Sequence, residues 1–257
     1  MKSHIPRRRF GQNFLTDPNI IDAIIAAIDP QPGDGMVEIG PGLGILTAPL
    51  LQKLDRLHVV EIDRDLAARL KGRFPAEKLV VHCGDVLDFD FLQLPSPFRV
   101  VGNLPYNIST ELLFRLQRHA AHLIDGHFML QREVVERMVA FPSTAAYGRL
   151  SVMLQLRFEM EKLLDVPPES FNPAPKVDSA VVRLRPLSRS PEDWDELKLN
   201  EVVTTAFTQR RKTLRNALGK LIDAPALVAL DIDPQLRPEN LAVADYVRIA
   251  RALGGNT

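Results

Sequence analysis

The pentapeptide Gly102-Asn103-Leu104-Pro105-Tyr106 closes an apolar run, Phe98 to Val101, and gathers groups suited to holding a flat aromatic amine. The lone pair of such an amine is delocalised into its ring. Alkylating it therefore requires acceptors that hold its two protons, favour a pyramidal nitrogen and stabilise the positive charge that develops. The Asn103 side-chain oxygen can supply one acceptor, and the Leu104 carbonyl another, beside Pro105, which has no N–H of its own. Tyr106 adds a ring face for stacking. No strong base and no metal is required, because the nitrogen turns acidic only after alkylation. Most of the rate would come from holding the reacting atoms in line at near contact.

Further candidates stand at the ends of earlier β-rich runs. Met36 to Ile39 leads into Gly40-Pro41-Gly42-Leu43-Gly44. A ligand can approach such a turn closely, since glycine has no Cβ and adopts positive φ at little cost. Taken alone, the turn would serve packing equally well. About twenty residues on, the run Leu57 to Ile62 brings Glu61, placed to accept hydrogen bonds from ribose hydroxyls. Leu79 to His82 then delivers Gly84-Asp85, whose carboxylate could receive the amino group of an adenine. Each pair of glycines is separated by one residue, which departs from the dinucleotide fingerprint and disfavours a nicotinamide-dependent dehydrogenase. With Glu38 the lining is acidic and favours a cationic ligand over a pyrophosphate. The ordered set resembles the class I methyltransferase pattern, in which S-adenosylmethionine takes the dinucleotide's place.

Alternation of short β-rich runs with helical periodicity supplies the elements that must position these residues. Helices are expected from Asn19 to Ile28, Leu46 to Leu54, Leu66 to Phe74, Ser109 to His119, Val134 to Val139 and Leu150 to Phe158, with a further strand near His127 to Leu130. This alternation implies an α/β fold, a Rossmann-like and mostly parallel sheet covered on both faces. Leu163 to Val166 and Val177 to Leu184 are expected to close it as an antiparallel pair. Pro186 to Pro191 reads as a linker, and Val202 to Phe207, Leu214 to Leu221 and Leu241 to Leu253 as helices beyond it. The expected division is therefore residues 1–188, the ligand-binding domain with a basic N-terminal arm, and residues 189–257, a small all-helical domain. A length of 257 residues fits that arrangement.

Composition is that of an ordinary globular protein, 46% hydrophobic and 25% charged, with zero net charge. The zero total hides two basic clusters: Lys2 with Arg7, Arg8 and Arg9, and Arg210, Arg211, Lys212, Arg215 and Lys220. Either could bind phosphates, and either could be a solvated surface. The single cysteine, Cys83, excludes an intrachain disulfide and a multi-cysteine zinc site; a buried strand position is expected for it. No apolar stretch suits a signal peptide or a membrane span, so a cytoplasmic protein without a membrane partner is expected.

Four segments together resemble the ribosomal RNA adenine N6,N6-dimethyltransferases: Arg9 to Leu15, Glu38 to Gly44, Gly102 to Ser109, and Phe171 to Ser179. The likeness runs along nearly the whole first domain and is closest to the bacterial small-subunit type. Leu104, Arg237 to Leu241 and the form of the Phe171 loop tilt it that way, against the large-subunit enzymes that share the first motifs. The resemblance implies that Asn13 and Leu15 help close over S-adenosylmethionine, that Gly40, Gly42, Glu61, Asp85 and Asn103 bind it, and that Asn103 to Tyr106 form the target-amine site. It implies that Phe171 packs on the flipped base opposite Tyr106; from its Pro-rich surroundings alone, a core plug is equally consistent. The implied substrate is a pair of adjacent adenosines in a hairpin near the 3′ end of small-subunit ribosomal RNA, or that RNA in an immature subunit, met by a monomer. Arg210, Arg211, Lys212 and Arg215 are the residues expected to touch RNA outside the pocket. A DNA adenine methyltransferase and a non-catalytic assembly or transcription factor are the rival readings.

Overall fold

The computed structural model describes residues 13–105, 108–188 and 195–254. Strand β1 (Phe14–Leu15) and helix α1 (Pro18–Ile28) precede β2 (Met36–Ile39), α2 (Thr47–Lys53), β3 (Leu57–Glu61), α3 (Arg64–Arg73) and β4 (Leu79–Cys83). Then come β5 (Phe98–Asn103), α4 (Ser109–Gln117), β6 (Leu123–Gln131), α5 (Arg132–Met138), α6 (Arg149–Gln155) and β7 (Phe158–Val166). The short β8 (Phe171–Asn172) and β9 (Ser179–Pro186) are followed by α7 (Glu196–Thr208), α8 (Leu214–Ala217), α9 (Ala224–Ala229) and α10 (Val243–Gly254).

Seven strands form one sheet in the order β4-β3-β2-β5-β6-β9-β7. The first five are mutually parallel and β9 runs antiparallel to β6. All four residues of β2 are buried, as a central strand covered on both faces demands. From β2 the chain steps outward to β3 and β4, then returns to place β5 on the other side of β2. The order reverses there, and open α/β sheets bind ligands at such switch points. Register pairs Ile39 with Gly102, so the turn after β2 and Asn103 at the end of β5 emerge side by side.

The elements flanking this crevice are locally well specified. Asp17 caps α1, accepting from the Asn19 N–H, and Pro18 opens the helix. Asp63 caps α3 by accepting from the Asp65 N–H, while Lys71 and Arg73 complement the dipole in its last turn.

One feature completes the sequence expectation and two differ from it. Strand β9 lies inside β7, between it and β6, an order that the expected antiparallel pair left open. Cys83 ends β4, as a strand residue should, but is exposed rather than buried, because β4 is an edge strand. The third concerns the division of the chain. One compact unit takes residues up to Val135 with Glu159–Pro186, and the other takes Glu136–Phe158 with everything from Leu187 on. The segment Glu136–Phe158 therefore joins the C-terminal helices instead of the expected 1–188 domain. Tyr147 is fully buried and meets the Phe207 ring edge-on at 6.3 Å, and the Ser143 N–H donates to the Glu239 carbonyl.

Candidate active site

A cavity opens at the carboxyl ends of β2, β3, β4 and β5. Asn13, Leu15, Gly40, Gly42, Glu61, Asp85 and Asn103 all line it. The structure thus brings together every residue that the sequence assigned to cofactor binding.

The glycine turn has a steric reason for its composition. Gly40 and Gly42 have φ of 64° and 57°, a region that side chains rarely enter. A Cβ on Gly42 would also lie 3.0 Å from Cε1 of Phe14, whose ring covers the turn. Glu61 ties this turn to its own: Oε2 accepts the Gly42 N–H at 3.0 Å and Oε1 accepts the Asp63 N–H at 2.9 Å. Burial pushes the Glu61 pKa up, and backbone donors from Asp63, Gly42 and Ile62 work against that while leaving part of the carboxylate's acceptor capacity for a ligand.

Glu38 lies deeper, 2% exposed, and Oε2 accepts the Thr47 hydroxyl at 2.6 Å. Burial raises its pKa to about 8, the Thr47 bond opposing and the neighbouring Glu61 charge adding to the rise. Two acids facing one cavity favour a positively charged occupant. At the end of β4, Oδ1 of Asp85 accepts the Leu87 N–H at 2.9 Å, and Oδ2 is left to accept from a ligand. Apolar walls complete the cavity. Phe14, Ile62, Val86 and Ile108 were not singled out from the sequence, although each of the first three adjoins a residue that was. Ile62 is 44% exposed and lines the cavity.

The β5 end sets the second half of the site. The Asn103 side-chain N–H donates to the Asn13 carbonyl at 3.1 Å, which leaves Oδ1 as the atom that faces away and accepts. The Leu104 N–H donates to the Met129 carbonyl at 3.2 Å, and the Leu104 side chain is buried, so its backbone is fixed from behind. Leu104 and Pro105 both line the cavity, and the Pro105 carbonyl accepts the Ile108 N–H at 3.2 Å. Tyr106 lies outside the described residues, as does the Lys2 to Arg9 cluster.

Asn13 is held in place by a two-stranded sheet that the sequence did not announce. β1 pairs antiparallel with β8, Phe14 opposite Asn172 and Leu15 opposite Phe171, and the Thr16 N–H adds a 2.8 Å bond to the Ser170 carbonyl. This pairing bears on the role implied for Phe171: its ring is 5% exposed and packed in a core with Leu15, Ile24, Val166 and Val181.

The basic cluster in the helical unit divides in two. Arg210 is a brace: Nε donates to Oε2 of Glu239 at 2.6 Å, and the other end of its guanidinium donates to the Ala145 carbonyl at 2.7 Å. Its charge is paired with Glu239 within the unit. Arg211, Lys212 and Arg215 are exposed. Among the described residues no group of three or more His, Cys, Asp or Glu side chains could hold a metal.

A mostly parallel seven-stranded sheet with its ligand crevice at the β2–β5 switch point, followed by helices, defines a class I methyltransferase, and the chain is an enzyme of that class. The sequence model of the ribosomal RNA adenine dimethylase family matches residues 3–254, and the chain belongs to that family. It is 60% identical over 255 residues to the ribosomal RNA small subunit methyltransferase A of Chromobacterium violaceum, covering 98% of this chain and 97% of that one. Its structure is similar to a dimethyladenosine transferase from Plasmodium falciparum, with a TM-score of 0.81 and 27% identity over 94% of this chain and 98% of that one. The 23S rRNA methyltransferase ErmE is also similar, with a TM-score of 0.72 and 26% identity over 94% of this chain and all of the other. No helix among the described residues is long and apolar enough to cross a membrane.

Proposed function

We propose that this enzyme dimethylates the N6 amines of two adjacent adenosines in a hairpin near the 3′ end of small-subunit ribosomal RNA, using S-adenosylmethionine. The observation that carries the chemistry is the fixed Asn103 amide, its nitrogen engaged by Asn13 and its oxygen left at the lip of an acidic cavity. The near-full-length likeness to a small-subunit enzyme, against 26% identity to a 23S enzyme, supports the choice of RNA.

The cavity fits the cofactor. The positive-φ glycines give it an approach that a Cβ would fill, Glu61 can accept from ribose hydroxyls, and Oδ2 of Asp85 from an adenine amine. Ionised Glu38 and Glu61 would balance a cation. S-adenosylmethionine, when bound, supplies an electrophilic methyl group on a positively charged sulfur. The chain's own part is positional. Oδ1 of Asn103 and the Leu104 carbonyl accept the two amine hydrogens and stabilise the charge that grows on the nitrogen. No residue need remove a proton beforehand, since the alkylated amine loses it to water. The adenine must leave its stack to reach Asn103, which costs least in a loop. Arg211, Lys212 and Arg215 hold RNA phosphates, and the enzyme acts as a monomer in the cytoplasm on the RNA or on an immature small subunit.

The test is methyl transfer from labelled S-adenosylmethionine to small subunits from cells lacking this enzyme, with parallel reactions on large subunits and on DNA. N6,N6-dimethyladenosine at two adjacent positions near the 3′ end of the small-subunit RNA is expected from mass spectrometry. Label confined to large subunits or DNA, or binding without transfer, would reject the reading.

A further inference from the structure

In the helical unit, the turn after α5 carries Phe141, whose side chain is 77% exposed. The turn beneath this ring is firmly held. The Phe141 carbonyl accepts both the N–H and the hydroxyl of Thr144, at 3.2 and 2.7 Å, and Ser143 sits at φ 68°. Glu239 and Asn240 grip Ser143, through its N–H at 2.7 Å and its hydroxyl at 3.1 Å. Arg210 clamps the next residues, reaching the Ala145 carbonyl while paired with Glu239.

These bonds hold the turn in one conformation and so keep the ring presented to solvent. The same clamp fixes where the chain goes next: Arg211 and Lys212 follow Arg210 directly, both exposed and without an ion pair among the described residues. An exposed aromatic ring on a turn that Arg210 holds, with two exposed cations next to Arg210 in the chain, supplies the two halves of single-stranded RNA recognition, stacking for a base and charge for its phosphates. We propose that Phe141 stacks on an unpaired base of the substrate RNA outside the methylation pocket, with Arg211 and Lys212 on the flanking phosphates. The inference rests on the RNA substrate proposed above, and methyl transfer by the wild-type enzyme in the same preparation tests that substrate separately.

The experiment compares Phe141→Ala, Phe141→Leu and Phe141→Tyr for binding to protein-free small-subunit RNA and to the intact particle, by filter binding at several salt concentrations. Circular dichroism checks that each variant is folded, as an exposed position should allow. Phe141→Ala is expected to weaken binding to the free RNA about tenfold. Phe141→Leu should stay weak, Phe141→Tyr should match the wild type, and the salt dependence should keep its slope, since no charge has changed. Wild-type affinity in Phe141→Ala, or full rescue by leucine, which has no aromatic face, would overturn the proposal. A loss confined to the intact particle would overturn it too, by assigning Phe141 to a ribosomal protein.

Discussion

Gly42→Ala tests the cavity at its tightest point. Gly42 has φ 57°, and a left-handed conformation costs an alanine roughly 1–2 kcal/mol. The added methyl would also stand 3.0 Å from one Phe14 ring carbon and 3.3 Å from another, so the ring must move by a few tenths of an ångström. Phe14 lines the cavity and belongs to β1, so that shift alters the wall a ligand would meet. The variant should lose about 1–2 kcal/mol of stability. Its affinity for S-adenosylhomocysteine should fall about tenfold if a comparable 1.4 kcal/mol is lost from binding. Gly72→Ala is the internal control: Gly72 lies within α3, no neighbour stands within 4 Å of an added Cβ, and its φ is not positive. It should stabilise the protein by about 0.5–1 kcal/mol and leave binding untouched. Urea unfolding and titration calorimetry on both variants decide the matter. A Gly42→Ala protein with wild-type stability and affinity would refute the steric account of this turn.

Other outcomes follow from the same geometry. Glu38 keeps its proton until about pH 8, whereas an unfolded carboxyl loses it near 4.5, so ligand-free stability should fall as pH rises between those values. A cationic ligand needs the ionised form, so affinity for S-adenosylmethionine should rise by up to about tenfold per pH unit below pH 8 and then level; a Glu38→Gln protein with the same slope would exclude Glu38 as its source. Asn103→Ala should slow single-turnover methyl transfer about 10²- to 10³-fold with calorimetric cofactor affinity largely kept, and unchanged turnover would remove Asn103 from the mechanism. Arg210→Ala should cost about 1–2 kcal/mol in denaturant unfolding by freeing Glu239 and the Ala145 carbonyl. Arg211→Ala should leave stability alone and lower the salt slope of RNA binding by about one; the opposite pattern would reverse the two roles.

What could be read from the sequence tracks how local its cause is. The strands that carry Gly40, Glu61, Asp85 and Asn103 are apolar runs ended by distinctive residues, and their order along the chain already implies a common crevice once the sheet is parallel. β1 and β8 have two residues each, too few for any periodicity, and exist only because each finds the other. Strand character in Ser179–Pro186 was visible, but a strand's pattern does not name its neighbours, so its position inside β7 was not. The same limit hid the partner of Arg210. A run of cations reads as a surface until Glu239, far along the chain, neutralises one member. Phe171 was undecidable for a related reason, since an aromatic ring beside prolines suits a base or a core, and its pairing with Leu15 lies far away in sequence.

The clasp between β1 and β8 joins points 154 residues apart through Thr16 and Ser170. Asn103 is held in one orientation from the near end of that clasp, so its amide is only as well oriented as the fastening is secure. Were the clasp to open, the amide could turn over and offer its N–H groups where an oxygen is needed, setting donor against donor at the incoming amine. A fusion tag or deletion upstream of Phe14 that loosens the clasp would therefore disturb the Asn103 amide and the cavity wall formed by Asn13, Phe14 and Leu15 together.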